Sequence, residues 1–267
     1  MTLNSPPDWQ RILAAFMFAT RLRLTWFDRL TPESHQQFRP FMPLVGGFVG
    51  ALGALVFALS DTLLNNIPIA VVLSMAATIL LTGALHEDGL ADSCDAFGGH
   101  VSRGKALTIM KDSRLGTYGV CGLFVVLLLK CLALVAVAQT HSVWLFTLMY
   151  IAAHAFSRSL AIRTSWRLNY ASTLDASKSE PVVRDAVTQR DKVLCLALGA
   201  TPLAMLATTQ FYLTLGALGL AVLGAWRVEA LSEQRIQGYT GDVLGAVQQV
   251  SELGFYLGVL ILMVPAT

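Results

Sequence analysis

Charge is what this sequence has least of. Only 13% of its 267 residues are Asp, Glu, Lys or Arg, roughly half the share usual for a soluble domain. Such scarcity argues against a soluble globular chain. The net charge is only +2, so a basic footprint for nucleic acid is lacking and no nucleic-acid partner is expected. Cysteine is sparse: Cys94, Cys121, Cys131 and Cys195 form no C-x-x-C pair. That leaves neither a zinc pattern nor a disulfide framework. No internal repeat or low-complexity segment stands out. The N-terminal stretch lacks the basic start of a cleavable signal, and Arg21 and Arg23 interrupt its apolar run. It reads as an amphipathic helix lying at a membrane surface.

What the chain has in abundance is apolar length. Hydrophobic residues make up 55%, and crossing the hydrocarbon core takes roughly 20 mostly apolar residues. Seven runs qualify, near 43–60, 67–85, 117–138, 143–162, 193–208, 211–226 and 248–264. The fifth and sixth are short and nearly continuous, and read as a tight helical hairpin or as one re-entrant element. The expected fold class is therefore all-α, a polytopic membrane helix bundle of about seven transmembrane helices. Residues 1–267 form one integral membrane domain, with 1–42 as a cytoplasmic or interfacial segment. In the first run, Gly46 and Gly50 make a small-xxx-small pair that lets a neighbouring helix approach closely.

Basic residues set the expected orientation. Of the 19 Lys and Arg, five fall in 1–42, four in 86–116, six in 163–192 and two in 227–247. The intervening connections hold none, and Lys130 and Arg158 sit within runs. Positive charge marks the cytoplasmic side, which puts the N-terminus inside and the C-terminus outside after seven spans.

The dense polar motifs all fall on that side. His86 to Asp95 reads His-Glu-Asp-Gly-Leu-Ala-Asp-Ser-Cys-Asp. On a helix Asp88, Asp92 and Asp95 lie within roughly 60° of one another. Three carboxylates on one stripe repel each other unless a cation joins them, and oxygen-only ligands favour a hard ion such as Mg²⁺. A solvated acidic helix end is the plainer alternative, but no Lys or Arg interleaves the stripe. His86 suits a general base or a hydrogen-bonded helix end. The second motif, Met110 to Gly119, offers Lys111, Ser113 and Arg114 as phosphate donors, and Asp112 to complete a metal shell. A helix starting nearby adds free N–H groups. The third, Gly238 to Ala246, holds Thr240 and Asp242. Asp242 reads as a metal or sugar-hydroxyl ligand, or equally as a helix N-cap. Charges at membrane depth are costly and usually functional, so Arg158 is a candidate phosphate ligand, while Lys130 and Glu252 can pair with each other. His154 reads as packing.

In this order the motifs resemble the cobalamin synthase family, the adenosylcobinamide-GDP ribazoletransferases. The likeness is carried by His86 to Asp95, by Met110 to Gly116, by the Ser157-Arg158 pair and by Gly238 to Ala246, with Phe18 to Arg21 and Pro43 to Gly46 before them. One departure is Leu24, where a proline often follows the early Thr-Arg-Leu. The resemblance implies a Mg²⁺-dependent enzyme of the bacterial inner membrane. It would join adenosylcobinamide-GDP to α-ribazole or its 5′-phosphate, releasing GMP, with its site on the cytoplasmic side. Asp88, Asp92 and Asp95 would hold the metal with Asp112 assisting, and Lys111, Ser113, Arg114 and Arg158, with Thr240 and Asp242, would bind substrate and phosphates. His86 or an aspartate would be the base. The lipid bilayer is an expected partner, and a homo-oligomer is compatible with the sequence. Two rival readings stand beside this one. A CDP-alcohol phosphotransferase also sets aspartates around Asp-Gly on a membrane helix, but its Asp-Gly-x-x-Ala-Arg pattern is broken by Asp92. An ion-coupled transporter would place its acids near the midplane, often in inverted repeats.

Overall fold

A computed structural model describes residues 6–22, 30–140, 142–171 and 187–263. Arg23, Leu24, Lys178 and Arg184 lie outside the described residues. Every regular element described is helical, and the remaining backbone pairing is a single parallel bridge between Tyr170 and Tyr239. A surface helix α1 (Asp8–Ala19) and a short α2 (Pro32–Gln36) precede a 3-10 turn at Arg39–Phe41. Then come α3 (Met42–Leu64), α4 (Ile67–Thr82), α5 (Leu85–Gly98) and α6 (Arg103–Ile109). The long helices α7 (Thr117–Thr140), α8 (Val143–Arg167), α9 (Gln189–Thr209), α10 (Phe211–Ile236) and α11 (Gly241–Leu262) complete the bundle.

Among the described residues six helices are long and apolar enough to cross a membrane, or seven if the bent pair α4 and α5 counts as one span. The expected polytopic bundle is present. The helices continue past the apolar runs at several ends, because capping residues rather than hydropathy stop them. Asn65 in the left-handed region closes α3, and the Asn66 side chain accepts from the Ile69 amide to open α4. Of the two alternatives for the fifth and sixth runs, the structure has the helical hairpin and not one re-entrant element. The runs are two helices of 21 and 26 residues that meet at Gln210, α9 packing chiefly on α8 and α10 along α11.

Helix α8 is the bundle's centre, buried on nearly every side against α3, α9 and α11. The expected role of the α3 glycines holds. A Cβ on Gly46 would stand 2.3 Å from the His154 carbonyl oxygen, and one on Gly50 would stand 2.9 Å from the Ile151 Cα. Backbone therefore meets backbone along this seam, as small residues permit between membrane helices. Stacked rings run down the interior beside it: Phe57 on Phe146 at 4.0 Å, and Phe146 on Tyr150 at 5.4 Å. Large side chains such as Leu55, Leu80, Phe124 and Leu132 point outward, the arrangement a lipid solvent favours.

One end of the bundle gathers the polar connections. Arg103 Nε donates to the Ile236 carbonyl at 2.8 Å, and Arg235 to the Gly99 carbonyl at 3.2 Å. The Tyr239 amide donates to the Asn169 carbonyl at 2.9 Å. Arg11, buried on α1, pairs with Asp191 at the start of α9 at 2.5 Å. The stretches in which the sequence concentrates its Lys and Arg therefore meet at the same end.

The α3–α8 seam leaves no room for a side chain at Gly50. Gly50→Val is expected to destabilise the bundle by at least about 1–3 kcal/mol, read as a lowered thermal midpoint of the detergent-purified protein. An unchanged midpoint would show that the seam tolerates separation.

Candidate active site at the polar end of the bundle

Two consecutive left-handed residues shape this end. Gly83 has φ 67° and Ala84 φ 59°, and together they turn the chain through 89° between α4 and α5. Such a conformation comes easily to glycine and at a steric cost to alanine. The Arg21 amide donates to the Leu81 carbonyl at 2.7 Å, and its side chain occupies the space a Cβ on Gly83 would need. As a result α5, with His86, Glu87, Asp88, Asp92 and Asp95, leaves the apolar span and lies across the polar end.

There α5 crosses the start of α11 with backbones touching. A Cβ on Gly89 would come within 2.7 Å of the Asp242 carbonyl oxygen, and one on Gly245 within 3.0 Å of the His86 carbonyl oxygen. The glycines of the first and third motifs are thus a single contact. That contact brings Asp88 and Asp92 beside Asp242. Burial, followed by the charges of Asp88, Asp242 and Asp95, pushes the Asp92 carboxyl up to about 6. The electrostatic crowding expected of an acidic stripe is present, and Asp242 belongs to it.

The other two expected metal ligands are differently engaged. Asp95 accepts the Gly116 amide at 2.7 Å and the Gly119 amide at 2.8 Å. It caps α7 from a neighbouring helix, and a Cβ on either glycine would strike its carboxylate at 2.4 Å. The N–H groups expected to receive phosphate at this helix start are therefore taken by Asp95. Asp112 pairs with Arg114 at 2.5 Å. Hydrogen bonds from Arg114 hold its carboxyl down at about 2. The structure does not bring Asp112 into the group formed by Asp88, Asp92 and Asp242.

A cavity of about 670 Å³ opens beside the crossing. Asp88, Asp242, His86, Lys111, Arg158 and Thr240 all line it. Burial, reinforced by Arg158, pushes the His86 imidazole well below its usual range, which leaves it neutral. Thr240 caps α11, its hydroxyl accepting the Val243 amide at 3.3 Å. Arg158 is 2% exposed, and its Nε has no hydrogen-bond partner among the described residues. Ser113 and Arg114 are exposed and do not line the cavity. The cavity wall also includes residues the motifs did not point to: Arg39, hydrogen-bonded to Tyr239, together with Tyr170, Phe38 and Met42. Tyr239 lies inside the third motif, but Arg39 and Tyr170 carry no local signal. Tertiary pairing across the bundle end places them.

Among the described residues no three His, Cys, Asp or Glu side chains converge closely enough to hold a metal unaided. Magnesium takes one or two carboxylates and completes its shell with waters and substrate phosphates. Asp88 and Asp242, oxygen ligands that both line the cavity, fit such an ion.

Fold and site together define a polytopic membrane enzyme in which carboxylates and basic side chains line one cavity at one end of the bundle. The chain belongs to the cobalamin-5-phosphate synthase family, whose family model matches residues 11–260. It is 44% identical over 250 residues to the adenosylcobinamide-GDP ribazoletransferase of Leptothrix cholodnii, covering 91% of this chain and 92% of that protein. The protein of that name from Polaromonas sp. is 36% identical over 267 residues, with 92% and 94% covered. The one from Leptospira interrogans is 37% identical over 257 residues, with 94% and 95% covered. No solved structure matches the chain significantly. This is a transferase of cobalamin biosynthesis, which sets aside the CDP-alcohol phosphotransferase and transporter readings.

The two kinds of aspartate can be told apart by stability. Asp95→Ala removes a helix cap and is expected to cost about 0.5–2 kcal/mol, lowering the thermal midpoint. Asp92→Asn relieves repulsion and should leave the midpoint unchanged or raised. Equal losses in both would contradict the separation of roles.

Proposed function

We propose that the chain joins adenosylcobinamide-GDP to α-ribazole or its 5′-phosphate, releasing GMP, with Mg²⁺ held at the α5–α11 crossing. The observation that supports this most is the cavity itself. It gathers Asp88 and Asp242, from two distant motifs, in one lining with Lys111 and Arg158. Carboxylates for a hard cation and fixed positive charges for phosphate are what a diphosphate transfer needs.

In this reading Asp88 and Asp242 would hold the metal, with Asp92 beside them, and the bound ion would supply neutralisation of charge on the diphosphate. Lys111 and Arg158 bind the remaining phosphate charge and orient the diphosphate. His86 or one of the aspartates accepts the proton of the ribazole hydroxyl as that hydroxyl's oxygen attacks the phosphorus on the corrinoid side. The bond to the guanosine phosphate breaks, and GMP leaves with the electron pair. Asp95 keeps α7 and the Lys111 loop in place. Asp112, Ser113 and Arg114 form an exposed rim beside that loop. The polar end faces the cytoplasm of a bacterial inner membrane, as the clustering of Lys and Arg supports.

Two measurements test this reading. GMP release from reconstituted protein should depend on magnesium, and Asp88→Asn and Asp242→Asn should each abolish it while the protein still inserts. Wild-type turnover of either variant at low magnesium would remove that residue from the metal site. Arg158→Lys should raise the KM for the GDP-bearing substrate about ten- to a hundred-fold, the loss of one charge-assisted contact, with the ribazole KM unchanged. Equal losses for both substrates would point to a folding defect instead.

Orientation is tested by labelling single cysteines placed at Lys105 and Thr140 in inside-out and right-side-out vesicles. The two positions should react from opposite sides, the first from the cytoplasmic face. Labelling of both from one side would sink the topology.

A further inference from the structure

Behind the cavity, α7, α8 and α11 enclose charges at membrane depth. Glu252 pairs with Lys130 at 3.0 Å, and its second oxygen accepts from Gln248 Nε2 at 2.6 Å. Lys130 also donates to Gln249 Oε1 at 2.8 Å, and Gln249 Nε2 donates to Glu87 Oε1 at 2.9 Å. Lys130 and Glu252 thus compensate each other, as buried charges must, while Glu87 Oε2 has no hydrogen-bond partner among the described residues. Arg158 differs. It forms no ion pair among the described residues, although it is buried and lines the cavity.

What holds Arg158 is His154, one turn earlier on α8. Arg158 Nη1 lies 3.2 Å from His154 Nδ1 and donates to the His154 carbonyl at 2.9 Å. A guanidinium can only donate, so Nδ1 must accept and the imidazole proton sits on Nε2. Nε2 stands 3.5 Å from Glu252 Oε1, a favourable contact for that proton though not a well-formed hydrogen bond. The ring cannot turn away. Tyr150 packs edge-on against it at 4.8 Å, and Gly50 and Gly46 bring α3 against His154 Cβ and Arg158 Cδ.

We propose that His154, its Nδ1 turned to accept from Arg158, is a positioning residue that aims the Arg158 guanidinium at the diphosphate of the GDP-bearing substrate. This rests on the reading of the cavity as a diphosphate site. His154 touches no substrate and acts through Arg158. A histidine that looks like packing in the sequence thus shapes specificity for one of two substrates.

The test is steady-state kinetics of the full chain in liposomes, each substrate varied separately. Two polar variants of similar size separate positioning from packing. His154→Asn leaves an acceptor near the Nδ1 position, and His154→Gln moves it away. His154→Gln should raise the KM for the GDP-bearing substrate about ten-fold with the ribazole KM unchanged, the loss of a bond to a charged group. His154→Asn should stay within about three-fold of the parent. In an Arg158→Ala background, His154→Gln should add nothing further, because the group it positions is gone. A His154→Gln penalty that persists in that background, or rises for both substrates alike, would overturn the inference. Should Arg158→Ala itself leave both KM values unchanged, the diphosphate reading fails and this inference falls with it.

Discussion

Helices α5 and α11 touch backbone to backbone where Gly89 meets Asp242 and Gly245 meets His86. This close approach requires positions without a Cβ, and the rest of the site follows from it. The two helices carry carboxylates that would repel each other at any distance. Only a crossing this tight makes Asp88, Asp92 and Asp242 one group. The bend at Gly83 and Ala84 serves the same end by carrying α5 out of the apolar span and across the helix ends. Without it the acids would enter the hydrocarbon, where ionised groups are costly.

The neighbouring polar residues stabilise this arrangement. Asp95 draws the start of α7 against α5 through two backbone amides. Asp112 is held by Arg114 at the exposed rim. Inside the membrane, Lys130, Glu252, Gln248 and Gln249 compensate one another. Against that background Arg158 stands out as a buried cation that lines the cavity and forms no ion pair among the described residues. Catalysis by such a site is chiefly preorganised electrostatics: charges fixed before substrate arrives cost no reorganisation during reaction.

Much of the fold was legible because lipid imposes a simple rule: spans are long, apolar and helical. The positions of the spans, the role of Gly46 and Gly50, and the Lys130–Glu252 pair followed from that rule. The acidic stripe was legible for a different reason, since helical periodicity places Asp88, Asp92 and Asp95 on one face. What periodicity does not reveal is which partner each carboxylate meets. Asp95 and Asp92 share a face, yet one faces amide donors and the other faces acids. Asp242 joins the group from the first turn of α11, 150 residues beyond Asp92 in sequence, through a contact that only the packed bundle creates. Arg39 and Tyr170 were missed because single residues in connections have no pattern. The separation of α9 from α10 was ambiguous because hydropathy does not report the break at Gln210.

The central claim is that the Gly89–Gly245 crossing assembles one site from two motifs. It is tested most directly by Gly89→Ala in reconstituted protein, with magnesium-dependent GMP release as the readout. A methyl at Gly89 would press on Asp242 backbone at 2.7 Å and force the helices apart. The account predicts a protein that inserts and can be purified but turns over about a hundred-fold more slowly, the cost of misplacing reacting groups by roughly 1 Å. Wild-type turnover of Gly89→Ala would contradict it.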